Sequence, residues 1–151
     1  MINQLLDVFA SFQKHGVRYV VIGGIAAVLH GVPRATFDLD ILIEASPDNA
    51  QYLLDALAHA NLATALLTTA DELLAHEITI FKDRVRIDVQ TSTPGLRFKD
   101  AWENRITMKF RGQEFYVASK DDLIASKRAA GRKKDLEDVK LLELESGNDR
   151  V

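Results

Sequence analysis

The chain has 151 residues, of which 47% are hydrophobic and 27% charged, a balance that fits one soluble globular domain over residues 1–151. Its net charge of −3 leaves any anionic partner to a local patch of cations. The absence of cysteine excludes disulfides and thiolate metal sites, and His15, His30, His59 and His76 lack the spacing of a structural zinc site.

The opening stretch, "MINQLLDVFASFQKHG", predicts an amphipathic helix with Ile2, Leu5, Leu6, Phe9 and Phe12 on one face and Gly16 at its end. Asp7 inside the apolar stretch, with no basic flank before it, argues against a signal peptide. "RYVVIGG" reads as a central strand, nearly all apolar. Its run on through "YVVIGGIAAVL" is shorter than the ~20 residues that span a membrane, so the expectation is a cytoplasmic protein with no membrane contact. "IAAVLHG" suits a short helix closed by Gly31, and "TFDLDILIE" a second strand. Ser46 caps a helix with Pro47 at its first position. "TADELLAH" carries a capping box, Thr69 with Glu72. "EITIFKD" and "RVRIDVQTS" are strands joined around Asp83, and "RITMKF" and "EFYVAS" form a hairpin turning at Arg111-Gly112-Gln113. A capping box of Ser119 and Asp122 opens the helix "KDDLIASKRAAG", Gly131 breaks it, and "KKDLEDVKLLELES" forms the last helix. These elements predict an α/β or α+β unit, a mixed sheet flanked by helices.

Asp38 and Asp40 are the chemically conspicuous residues. Side chains alternate along a strand, so the two carboxylates share a face at roughly 7 Å, while Leu39, Ile41 and Ile43 point the other way. Like charges so placed repel unless a cation lies between them. A hard divalent ion such as Mg²⁺ (or Mn²⁺) fits that need, and a solvated face of an edge strand is the plainer alternative. In "VRIDVQ", Asp88 alternates with Ile87 and Val89 in the same way. Should its strand lie beside the first, three carboxylates converge, enough to hold two metal ions and to take a proton from a hydroxyl. Pairing of Asp88 with Arg84 or Arg86 is the competing account. Gly23 and Gly24 stand where a strand meets a helix, with backbone N–H groups open to a phosphate. Lys127 falls on the apolar face with Leu123 and Ile124, so its ammonium either extends past the core or meets a buried anion. Asp135 and Asp138, one turn apart, are read as favourable charge near a helix start.

Gly23-Gly24, a short helix, Arg34-x-Thr36-x-Asp38-x-Asp40, Ile87-Asp88-Val89 on a later strand, and Lys127 before "GRKKDLED" together resemble the nucleotidyltransferase superfamily that includes the palm of DNA polymerase β. The pattern is most similar to the nucleotidyltransferase-like toxins of bacterial abortive-infection and toxin–antitoxin systems. The resemblance covers about Tyr19 to Leu142. It implies a palm-like sheet with C-terminal helices, Asp38, Asp40 and Asp88 as metal ligands, and Asp88 as the base. It implies further that Gly23 and Gly24 hold the triphosphate of an NTP, that Arg34 and Thr36 steady the phosphates, and that Lys127 and Asp135 belong to the nucleotide site. The implied acceptor is a hydroxyl of tRNA or protein, and the implied partner a cognate antitoxin. One departure stands out: Gly24 occupies the place of the superfamily's usual serine. That departure supports an alternative, a nucleotide- or protein-binding module without catalysis. A plain RNA-binding domain fits less well, since aromatics do not interleave with a basic face.

Overall fold

The computed structural model describes residues 2–148, with side chains through residue 144. The expected unit of residues 1–151 thus includes Met1 and residues 149–151, which lie outside the described residues. A 3₁₀ turn at Ile2–Leu5 leads into α1 (Leu6–His15), which buries Val8, Phe9 and Phe12. Gly16 ends it in the left-handed conformation, its N–H returning to the carbonyls of Gln13 and Phe12. Strand β1 (Tyr19–Ile22) follows, then α2 (Gly23–Leu29), β2 (Leu39–Ile43), α3 (Pro47–His59), a 3₁₀ turn at Ala63–Leu67 and α4 (Ala70–Leu74). The second half holds β3 (Ile78–Lys82), β4 (Arg86–Gln90), α5 (Phe98–Asn104), β5 (Ile106–Phe110), β6 (Gln113–Val117), α6 (Lys120–Ala130) and α7 (Lys133–Asn148). Ser46, Thr69 and Ser119 each accept the expected capping hydrogen bond from the residue three positions on.

The six strands form one mixed sheet in the order β3-β4-β2-β1-β6-β5. β1 runs antiparallel to β2 and parallel to β6, while β2 and β4 are parallel. All four residues of β1 are buried, because helices and loops cover both faces at the sheet's centre. On one face Val21, Ile41, Ile43 and Val89 meet Phe9, Phe12, Leu53 and Leu57 from α1 and α3. On the other face, Val20, Ile22 and Leu42 are covered by Ala101 and Trp102 of α5. This second cover stops short of β4. Ile87 and Val89 are buried there, but Arg86, Asp88 and Gln90 on the opposite face are only half-buried. The uncovered strip of sheet is where the acidic side chains lie.

Three local features differ from the sequence reading. α2 starts at Gly23 itself, and regular β2 starts only at Leu39, so residues 36–38 lead into the strand as irregular backbone. Helix α5 was not among the expected elements. Its seven residues are too few to be stable alone, and Ala101 packed on the sheet supplies what propensity lacks. Among the described residues, no helix is long and apolar enough to cross a membrane.

Candidate active site

The parallel pairing of β2 with β4 sets Leu39 opposite Ile87 and Asp40 opposite Asp88. Residues opposite each other in a parallel pair share a facing, so the apolar partners enter the core and the two carboxyls emerge side by side. Asp38, two positions before Asp40, opens on the same cavity, which has a volume of about 230 Å³. Asp88 is therefore on the side of the sheet that the acidic reading requires.

Gly23 is fixed by this arrangement. Ile22 pairs with Asp40 across the antiparallel β1–β2 ladder, which brings the next residue against the Asp40 side chain. A Cβ on Gly23 would overlap the Asp40 carboxyl, with Cγ only 2.9 Å away, and φ is +71°. Gly24 is also confined. A Cβ there would lie 2.9 Å from Thr36 Oγ1, so the Thr36 hydroxyl fills the space that a side chain at position 24 would need.

A set of cations faces the carboxylates. Lys127 is 6% exposed, and its Nζ donates to Asp138 Oδ2 at 2.8 Å and stands 3.9 Å from Asp135 Oδ1. Of the two accounts of its apolar position, the buried anion holds. Arg34 donates to the same Asp138 Oδ2 at 2.7 Å, and Arg132 Nε donates to Asp135 Oδ2 at 2.7 Å. Asp138 is 3% exposed and binds two cations from distant segments, so the reading of it as a helix-start charge is corrected here. Its spacing of three from Asp135 was the available signal, since both then face α6 from one side of α7. Burial disfavours the charged form of Asp135, but the hydrogen bond and charge of Arg132, aided by Lys127, outweigh it and hold the carboxyl below its ordinary range.

Asp40 shows the opposite balance. Burial, then the charge of Asp88 and a hydrogen bond shared with it, push its pKa up to about 7, with Lys127 only partly offsetting them. Asp88 has a partner of its own, because Arg86 Nε donates to Oδ1 at 2.9 Å and Arg86 Nη2 to Oδ2 at 3.3 Å. Arg86 Nε also lies 3.7 Å from Asp38 Oδ2. Arg84, the other candidate partner for Asp88, pairs instead with Asp7. Among the described residues, no group of three His, Cys, Asp or Glu side chains stands ready to hold a metal ion. The donor chemistry still suits a hard divalent cation: Asp40 and Asp88 offer adjacent carboxylate oxygens, and one of them is short of positive charge.

A family model described as "Nucleotidyltransferase of unknown function (DUF6036)" matches residues 2–147. The chain belongs to this nucleotidyltransferase family. No curated protein matches it. In this nucleotidyltransferase, the glycine turn, the Asp40–Asp88 pair and the cations of α6 and α7 line one cavity. Gln90 and Thr93 also line it and were not anticipated, although the alternation that places Asp88 places Gln90 on the same face.

Proposed function

We propose that the chain is a metal-dependent nucleotidyltransferase that transfers a nucleoside monophosphate from an NTP to a hydroxyl of RNA, such as tRNA, or of protein. The observation that carries this reading is the register pairing of Asp40 with Asp88 beside Gly23, in a cavity whose other wall is cationic. Asp38, Asp40 and Asp88 are the residues that would hold Mg²⁺ or Mn²⁺. Such an ion, when bound, neutralises charge developing on the attacking and leaving oxygens. The backbone N–H groups of Gly23 and Gly24 would hold the triphosphate, with Asp40 and Thr36 packed directly against the two glycines. Arg34, Lys127 and Arg132 lower the cost of gathering its negative charge, and the Thr36 hydroxyl is a donor for a phosphate oxygen. Asp135 and Asp138 keep Arg132, Lys127 and Arg34 in place.

In the transfer step, the acceptor oxygen bonds to the α-phosphorus as the bond from that phosphorus to the bridging oxygen breaks. The acceptor proton passes to the Asp88 carboxylate, and pyrophosphate leaves with the electron pair of the broken bond. Labelled NTP incubated with acceptor RNA or protein and Mg²⁺ tests this. Label should appear on the acceptor with the unaltered chain and not with Asp40→Ala or Asp38→Ala. Transfer that survives either substitution would remove the residue from the mechanism.

A second reading, a nucleotide-binding module without turnover, draws on the engagement of Asp88 by Arg86. Calorimetry showing NTP binding, together with no transfer to any acceptor, would favour it. A role as the toxin of a toxin–antitoxin pair follows from the resemblance alone. It predicts that a neutralising partner binds the chain and blocks transfer.

A further inference from the structure

Arg86 sits where the proposed metal site needs an opening. It opens β4 on the uncovered face, one alternation step from Asp88, and its guanidinium lies between Asp88 and Asp38. The chain thus places a fixed positive charge among the carboxylates proposed to bind a divalent ion. A guanidinium gripping both oxygens of Asp88 occupies the lone pairs that an ion would use. The Arg86 side chain is 37% exposed and that of Asp88 15%, so the guanidinium has a direct path to water even though the carboxylate it holds is largely covered. It can swing out without crossing the core, unlike Lys127 in the buried Lys127–Asp138 pair.

We infer that Arg86 is an internal counter-ion that stands in for the metal at Asp88 and is displaced into solvent when a divalent cation binds. The inference rests on the metal-dependent reading above. Arg86 would then act as a positioning residue that sets metal affinity. Without metal, it keeps Asp88 and Asp38 from repelling each other. Once metal arrives, its release frees both carboxylates together.

The test is titration of Mn²⁺ alone into the whole chain, read by calorimetry and by the Mn²⁺-induced shift in melting temperature. Arg86→Gln removes the charge while keeping most of the side chain's length, and Arg86→Lys keeps the charge without the two-pronged grip. Arg86→Gln should bind Mn²⁺ up to about fivefold more tightly than the unaltered chain, the scale of one exposed ion pair, with Arg86→Lys between the two. Arg86→Gln binding Mn²⁺ equally or more weakly would overturn the inference, and weaker binding would instead make Arg86 a brace for Asp88. Should the unaltered chain and both variants all fail to bind Mn²⁺, the metal-dependent reading falls as well. Melting curves without metal establish that each variant is folded. Should Arg86→Gln fail to fold, Arg86→Lys decides alone: affinity above that of the unaltered chain supports displacement, and equal or lower affinity overturns it.

Discussion

Lys127 Nζ donates to Asp138 Oδ2 at 2.8 Å, and both side chains are less than a tenth exposed. This pair joins α6 to α7, and through Asp138 it also reaches Arg34 in the loop before β2. Removing one member of a buried pair leaves the other charged and unsolvated, which costs far more than the pair itself contributes. Asp138→Ala removes the carboxylate shared by Arg34 and Lys127, leaving Lys127 only the longer contact to Asp135, and should lower unfolding free energy by about 3–5 kcal/mol in denaturant titrations. Lys127→Met should cost less, because Asp138 keeps Arg34. Equal losses for the two variants would contradict the shared role of Asp138.

Asp40 carries opposed demands of stability and function. Burial and the neighbouring charge of Asp88 push its carboxyl up to about 7, well above the ordinary carboxylate range, so at neutral pH the folded chain holds a partly ionised group. Raising a carboxyl that far disfavours its charged form by on the order of 4 kcal/mol. Asp40→Asn should therefore stabilise the metal-free protein in thermal melts at pH 8 while eliminating transfer. Loss of both stability and transfer would mean that Asp40 is structural.

The pH dependence has a definite sign. A carboxyl whose folded value is raised favours the folded state when protonated, and that advantage disappears as pH rises through about 7. Melting in a chelator from pH 5 to 8 should show Asp40→Asn gaining on the unaltered chain as pH increases. The gain should level off above about 7. Saturating Mg²⁺ should narrow the gap at pH 8 by supplying the missing positive charge. A gap independent of pH would remove Asp40 as its source.

Gly24 and Thr36 form a steric pair, with the space at position 24 filled by the Thr36 hydroxyl. Gly24→Ser should weaken NTP binding, because its Cβ would fall 2.9 Å from Thr36 Oγ1. Thr36→Ala should weaken it through loss of a donor, by several-fold for one hydrogen bond. The double variant should bind better than the product of the single losses predicts, since each change relieves the defect of the other. Simple additivity in calorimetry would mean that the two residues act independently.

Gly23 faces a stricter limit, since its φ is positive and its missing Cβ would enter the Asp40 carboxyl. Gly23→Ala should lower the melting temperature and disturb metal binding together. The double variant Gly23→Ala/Asp40→Gly should recover part of the stability but none of the transfer.

The local pattern of the chain was enough to orient the acidic residues. Strand alternation in "LDILI" and "RIDVQ" sets Leu39 and Ile41 opposite in facing to Asp40, and Ile87 and Val89 opposite to Asp88, so each carboxyl points away from its own strand's core residues. The caps at Ser46, Thr69 and Ser119 were legible for the same reason, because a cap and its partner lie three residues apart. Tertiary structure alone decided that β4 pairs with β2 in the register that sets Asp88 against Asp40. It also decided that Arg34 reaches Asp138 across 104 residues of chain, and that Asp38 comes to lie 3.7 Å from the Arg86 guanidinium on a different strand. Alternation and capping come from bond geometry within a few residues. Register and long-range ion pairs depend on how whole faces pack, and no short window of sequence contains both partners.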